Sequence, residues 1–214
     1  LRRSDPAIHA DDVGAPVGQS LRENFGRRAE NRLAVGADRH LEAGRAFPMS
    51  WIGESEQAGI AAPPPSARSP SFGTATAFLQ DALTSSDDRL EILALGPLTN
   101  LAHALRSVGI DRVRPLRTVI MGGAIDVAGN VNTLEHPHDN TRAEWNFYCD
   151  PLAAQEVLAS PLRVELVPLD ATNTVPVDRA FVKRVASGAA TRLRNYVKVI
   201  LERSAAAIER GDYF

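Results

Sequence analysis

The chain has 214 residues, 24 Lys+Arg against 26 Asp+Glu, a formal net charge of -2, and 44% hydrophobic and 6% aromatic residues. That length points to one domain, and the composition excludes a disordered segment or a fibre. The charge balance gives no electrostatic case for nucleic acid or an anionic membrane as partner. No run of about 18 apolar residues is present to span a bilayer, and the single cysteine, Cys149, excludes an internal disulfide and suits a reducing, cytoplasmic setting.

Residues 1–32 are weakly patterned, with Pro6, Gly14, Pro16, Gly18 and Gly26 among mixed charges, and only 20–30 suits a helix. Both ends read as cuts in a longer design: there is no opening Met, and Gly211-Asp212-Tyr213-Phe214 follows directly on a strong helical pattern. Leu33-Ala34-Val35 predicts a short strand stopped by Gly36. Residues 43–72 read as loop, because Pro63-Pro64-Pro65 and Pro70 forbid regular ladders. A helix is expected over 74–85, with Ala77, Phe78, Ala82 and Leu83 on one side, and a buried strand over Leu90–Leu95, broken by Gly96-Pro97. Leu98, Leu101, Ala102 and Leu105 then recur at helical spacing, and Thr118–Met121 is a second strand ended by Gly122-Gly123. Strand, helix and strand with short joints predict a βαβ unit with parallel strands.

A long loop is expected from about 124 to 143. Asp150-Pro151 starts a helix, with Asp as N-cap and Pro at the first helical position. Val164–Leu169 is the third expected strand, and helices over about 178–187 and 190–210 follow. The alternation predicts an α/β fold: a single domain with a mainly parallel, open, Rossmann-like sheet and helices on both faces.

In such sheets ligands bind beyond the carboxyl ends of the strands. Three ends are readable: Leu95–Asn100, Met121–Ala124 and Leu169–Asn173. Gly122-Gly123 would let a ligand approach the backbone closely, or would only make a tight turn. If 144–147 is extended, Glu144 and Asn146 share a side and suit the vicinal hydroxyls of a sugar. The alternative is a polar loop packed through Trp145 and Phe147. His136, His138 and Asp139 stand close together and would suit zinc or another transition metal, or form a solvated loop. His103 falls inside a helix and reads as a surface or packing residue.

Taken in order, Leu95-Gly96-Pro97-Leu98-Thr99-Asn100-Leu101-Ala102, Val119-Ile120-Met121-Gly122-Gly123-Ala124, Gly129-Asn130-Val131 and Ala143-Glu144-Trp145-Asn146 through Asp150-Pro151 resemble the inosine–uridine-preferring nucleoside hydrolase family. Pro168–Thr172 fits the strand and turn that follow, and Val35–Arg39 and Gly53-Glu54-Ser55 resemble earlier family turns. The resemblance covers 33–214, most fully 90–175. It implies hydrolysis of the N-glycosidic bond of a small-molecule ribonucleoside, assisted by Ca²⁺ that holds ribose hydroxyls and a water. By position, Leu95 would give Ca²⁺ a backbone carbonyl, Asn130, Glu144 and Asn146 would hold ribose hydroxyls, and Met121 would pack on the sugar.

The chain departs from the family pattern in places. The gap from Asn130 to Glu144 is longer than usual, and Ile52 stands where the family has a base-recognising histidine. The family's calcium and water-activating motif has only Ser4–Asp12 as counterpart, with Ala7 for a glycine and two extra residues before Asp11-Asp12. Asp5, Asp11 and Asp12 are therefore the metal candidates and Asp5 the catalytic one. The expected outcome is an incomplete domain with impaired turnover. A non-catalytic nucleoside- or ribose-binding remnant, or a transition-metal hydrolase using His136, His138 and Asp139, are the alternatives. Absent strands would leave apolar sheet edges through which a homo-oligomer could form.

Overall fold

The computed structural model describes residues 34, 36–37, 40–41, 44–47, 73–87, 89–132, 137–189 and 191–210. The expected helix at 20–30, most of the strand at 33–35, most of the 43–72 loop, and Asp5, Asp11, Asp12, Ile52, Glu54 and His136 lie outside the described residues.

Helix α1 spans Ala75–Thr84, and its N-cap Thr74 accepts the Ala77 N–H at 3.2 Å through its hydroxyl. Strand β1 is Glu91–Ala94, and helix α2, Thr99–Val108, ends at Gly109, whose φ of 82° suits glycine. After a 3₁₀ turn at Ile110–Arg112 comes β2, Arg117–Met121. Helix α3 is Trp145–Cys149, α4 is Pro151–Leu158, and β3 is Arg163–Val167. Three helices follow: α5 at Leu169–Thr172, α6 at Arg179–Ser187 and α7 at Arg192–Arg210.

The three strands form one parallel sheet in the order β1-β2-β3, with Ala94 opposite Ile120 and Met121 opposite Val167. The expected parallel βαβ unit is present. One expected boundary is corrected: the apolar run to Leu169 does not stay in the strand. Pro168 offers no N–H to the ladder, so β3 stops at Val167 and Leu169 opens α5.

Side chains alternate across the sheet. Ile92, Ala94, Ile120, Val164 and Leu166 face one core with Leu83 of α1, Leu101 and Leu105 of α2, and Ala153 and Val157 of α4. On the other face Leu93 is 66% exposed, and Arg117 of the central strand bonds Glu91 at 3.0 Å and Glu165 at 2.7 Å. A second, smaller cluster holds Val131, Trp145 and Cys149, with Phe47 and Tyr148 against it.

Candidate functional site

The segment 144–149 is not extended, which corrects the alternation argument for Glu144 and Asn146. Glu144 is the N-cap of α3, and its carboxylate accepts the N–H groups of Asn146 at 2.8 Å and Phe147 at 3.2 Å. It also accepts the Gly123 N–H at 3.0 Å, which ties the start of α3 to the end of β2. Glu144 is 3% exposed, and three backbone donors compensate its burial. The two residues still reach the same place. The Asn146 amide donates to the Met121 carbonyl at 3.1 Å and lies 3.2 Å from its sulfur, while its own Oδ1 makes no hydrogen bond among the described residues.

Gly122 and Gly123 are explained by this docking. A Cβ on Gly122 would meet the Phe147 ring deep inside van der Waals contact, and Gly123 sits at φ 83°. The group that approaches the bare backbone is thus the Phe147 ring.

The loop after β2 folds back as a clasp. Gly129 donates to Thr141 at 2.8 Å and Asn130 to Ala143 at 3.0 Å, and a Cβ on Gly129 would strike the Ala143 carbonyl. Asn130 Oδ1 accepts the Trp145 N–H at 3.0 Å, leaving its amide NH₂ without a hydrogen bond among the described residues. Met121, Asn130, Asn132, Leu169, Thr172 and Asn173 then line a cleft of about 500 Å³. Leu95 stands one residue past the Ala94–Ile120 pair, beside Met121, with a 68% exposed side chain. Leu95, Met121, Asn130, Glu144 and Asn146 therefore gather at the carboxyl end of the sheet.

Sequence reasoning placed Thr172 and Asn173 in the Leu169–Asn173 strand end but gave them no individual role. The signal was Pro168, which turns the chain into α5 and brings its last turn to the cleft.

The motif around Leu95–Asn100 is largely architectural. Thr99 donates its hydroxyl to the Asp150 carboxylate at 2.6 Å, and Asn100 Oδ1 accepts the Ala37 N–H at 2.7 Å. Asp150 caps α4 through the Ala153 N–H at 3.1 Å, as its place before Pro151 predicts, and also accepts the Leu41 N–H at 2.7 Å. It is fully buried. Neighbouring Cys149 is buried too, and desolvation, with the Glu144 and Asp150 charges, pushes its thiol up to about 12. A thiol so held is no nucleophile at neutral pH.

Asp170 of α5 accepts the N–H groups of Ile125 at 2.9 Å and Asp126 at 2.8 Å, joining β3's exit to β2's. These bonds, Ile125's first, hold its carboxyl below the usual aspartate range. A depressed folded value means the clamp is present above the unfolded value and lost as pH falls through the folded one. The Ile125 and Asp126 amide proton signals should therefore titrate together, with a midpoint below about 3.9, the ordinary aspartate value. Asp170→Asn should abolish that titration. A midpoint at or above the ordinary value contradicts the clamp.

His138 does not suit a metal. Its Nδ1 accepts the Asn140 N–H at 2.9 Å, so Nε2 carries the proton toward the Tyr148 hydroxyl at 2.9 Å, and no lone pair is left for a cation. Asp139 is on the same exposed loop. Among the described residues, no group of three or more His, Cys, Asp and Glu side chains could hold a metal ion. His136, the other histidine of that cluster, lies outside the described residues. Calcium takes about six to eight oxygen ligands, so the described residues do not by themselves fit that ion either.

The model of the "Inosine-uridine preferring nucleoside hydrolase" family matches residues 11–211. The chain is 36% identical over 158 residues to the pyrimidine-specific ribonucleoside hydrolase RihA of Salmonella agona, which covers 74% of this chain and 48% of that protein. It is 33% identical over 142 residues to uridine nucleosidase 1 of Arabidopsis thaliana, covering 66% and 40%. The chain thus spans less than half the length of these relatives. Among solved structures, the Bacillus anthracis inosine–uridine preferring nucleoside hydrolase superposes with a TM-score of 0.54 at 26% identity, over 88% of this chain and 61% of that one. A plant nucleoside hydrolase, PpNRh1, superposes at 0.66 and 24% identity, over 90% and 57%, and shows the shared fold.

Proposed function

Since the chain belongs to the inosine–uridine preferring nucleoside hydrolase family, we propose that it serves hydrolysis of the N-glycosidic bond of ribonucleosides, and that the carboxyl end of β2 is the wall that holds the ribose. In that reaction a water oxygen bonds to the anomeric carbon, the bond to the base nitrogen breaks, and the base leaves with the electron pair and takes up a proton. The observation that carries the reading is the open Asn146 Oδ1, whose amide is held on Met121, itself a lining residue of the cleft. That oxygen accepts a sugar hydroxyl, the Asn130 NH₂ donates to one, and Met121 gives the sugar ring an apolar floor. Glu144 positions all three by locking α3 to β2.

Calcium, the cofactor that the resemblance implies, would rely on Leu95 and on Asp5, Asp11 and Asp12, the last three outside the described residues, and no step is routed through it. The altered Ser4–Asp12 segment is the ground for expecting slow turnover, since general-base help is typically worth about 10²–10⁴-fold.

A second reading, a ribose-binding protein without turnover, is favoured by one observation. The buried carboxylates Glu144 and Asp150, and Asp170 near the cleft, are spent on backbone N–H groups and, for Asp150, also on the Thr99 hydroxyl. The test is release of reducing sugar from inosine and uridine by the full chain, with added Ca²⁺ and with chelator, alongside calorimetric binding of both nucleosides. Slow release lost with chelator supports the hydrolase. Binding without release supports the second reading, and neither binding nor release overturns both.

A further inference from the structure

Two of the described residues carry sulfur, and the fold treats them oppositely. Cys149 is fully buried at the end of α3 and held as a thiol, so it offers an oxidant neither access nor a thiolate. Met121 ends β2, where alternation puts its side chain on the same face as Arg117 and Val119, away from the packed core. It is half-buried and lines the cleft, which brings small solutes to it. Its sulfur also has a neighbour: the Asn146 amide nitrogen stands 3.2 Å from Sδ and 3.1 Å from the Met121 carbonyl oxygen. We propose that Met121 is an oxidation site, converted by hydrogen peroxide to the sulfoxide, and that this change turns the Asn146 amide.

The step is an oxygen transfer. A sulfur lone pair attacks one peroxide oxygen, the S–O bond forms as the O–O bond breaks, and the other oxygen leaves as water. Sulfur loses two electrons and the peroxide gains them. The product differs in what it offers a donor. A thioether sulfur is a weak acceptor, whereas the sulfoxide oxygen is strongly polar. Standing one bond beyond a sulfur already beside the amide, that oxygen competes with the Met121 carbonyl for the Asn146 NH₂. Helix α3 does not follow, because the Glu144 carboxylate still holds the N–H groups of Gly123, Asn146 and Phe147. The carboxamide therefore rotates on its own, and Oδ1 moves with it. The apolar floor that Met121 gives the cleft becomes polar at the same time. Both changes weaken the hold on a sugar. That last consequence rests on the ribonucleoside reading; the oxidation and the turn of the amide do not.

The test is peroxide treatment of the full chain, native and in urea, followed by peptide mass mapping of Met121 and of Met49, which lies outside the described residues. Native Met121 should gain one oxygen at a rate close to its rate in the unfolded chain. The side-chain NH₂ proton signals of Asn146 should shift in step with that gain, while the backbone amide signals of Asn146 and Phe147 hold their places. Uridine affinity, measured by calorimetry, should fall about tenfold, the loss of one hydrogen bond, and methionine sulfoxide reductase should restore it. Met121→Leu removes the sulfur at similar volume, so its uridine affinity, whatever its starting value, should not respond to peroxide. Native Met121 protected far beyond the unfolded chain overturns the inference, as does a sulfoxide that leaves the Asn146 side-chain signals unmoved. An equal peroxide response in Met121→Leu overturns it too. If the sulfoxide forms and the Asn146 signals shift but neither form binds uridine, the oxidation site stands and the ribonucleoside reading falls.

Discussion

Asp150→Ala should lower the melting temperature by roughly 10 °C, the largest loss expected from any single side chain in the described core. The carboxylate is fully buried and holds three separate elements: the first turn of α4, the start of α2 through Thr99, and the upstream segment through Leu41. Alanine removes an N-cap worth about 0.5–2 kcal/mol and strands a buried hydroxyl and a backbone N–H at about 1–3 kcal/mol each. A total near 4 kcal/mol, at about 2–4 °C per kcal/mol for a chain of this size, gives that shift. Asp150→Asn keeps the cap and one acceptor oxygen and should lose about half as much. The check is thermal and urea unfolding of both variants, and an alanine variant melting within about 3 °C of wild type would contradict the role given to Asp150.

Asn146→Ala should reduce turnover on ribonucleosides by about 10²-fold while changing KM only a few-fold. Helix α3 is fixed through Glu144, and the Asn146 NH₂ is fixed on Met121, so the orientation of the amide and its free Oδ1 is set before a ligand arrives. As the glycosidic bond lengthens, positive charge builds on the ring and its hydroxyls become stronger donors. A preset acceptor therefore gains more in the transition state than in the ground state. Losing it appears in kcat rather than KM. Asn146→Asp retains an acceptor but loses the donor to Met121, and should fall between the two. Steady-state kinetics on uridine and inosine settle the partition. A variant that raises KM tenfold at unchanged kcat would make Asn146 a plain binding contact.

The sheet was legible because its signals are local. Apolar runs at 90–95 and 118–121, the Gly-Pro and Gly-Gly stops, and the Asp150-Pro151 helix start each say what they are within six residues. What escaped depended on partners far along the chain. Glu144 and Asn146 were paired correctly for the wrong reason: the expected strand would put them on one side, whereas the capped helix brings them to β2 through Gly123 and Met121. Gly122 reads as a turn or a ligand approach until Phe147 is seen against it. Asp150 was legible as a cap, but its bonds to residues 41 and 99 carry no sequence signature. Leu169–Asn173 was legible as a strand end where a ligand binds, but Val164–Leu169 reads as an unbroken strand, and only Pro168 marks where the chain turns to the cleft.

The Arg117 fork across the exposed sheet face bears on how the strands find their alignment. Its pairs with Glu91 and Glu165 are half exposed and add little to stability. Their effect lies in the alignments they disfavour. If β1 slid by one residue along β2, Glu91 would turn inward to the face where Leu105 and Ile120 are buried, and a carboxylate would lose its water without a partner. A slide of two residues restores the faces but sets Leu93 beside Arg117 in place of Glu91. Because β3 carries Glu165 on the same side, the guanidinium checks both neighbours of the central strand at once. Parallel strands joined by long crossovers have no tight turn to fix their offset, and here three charged side chains supply that measure.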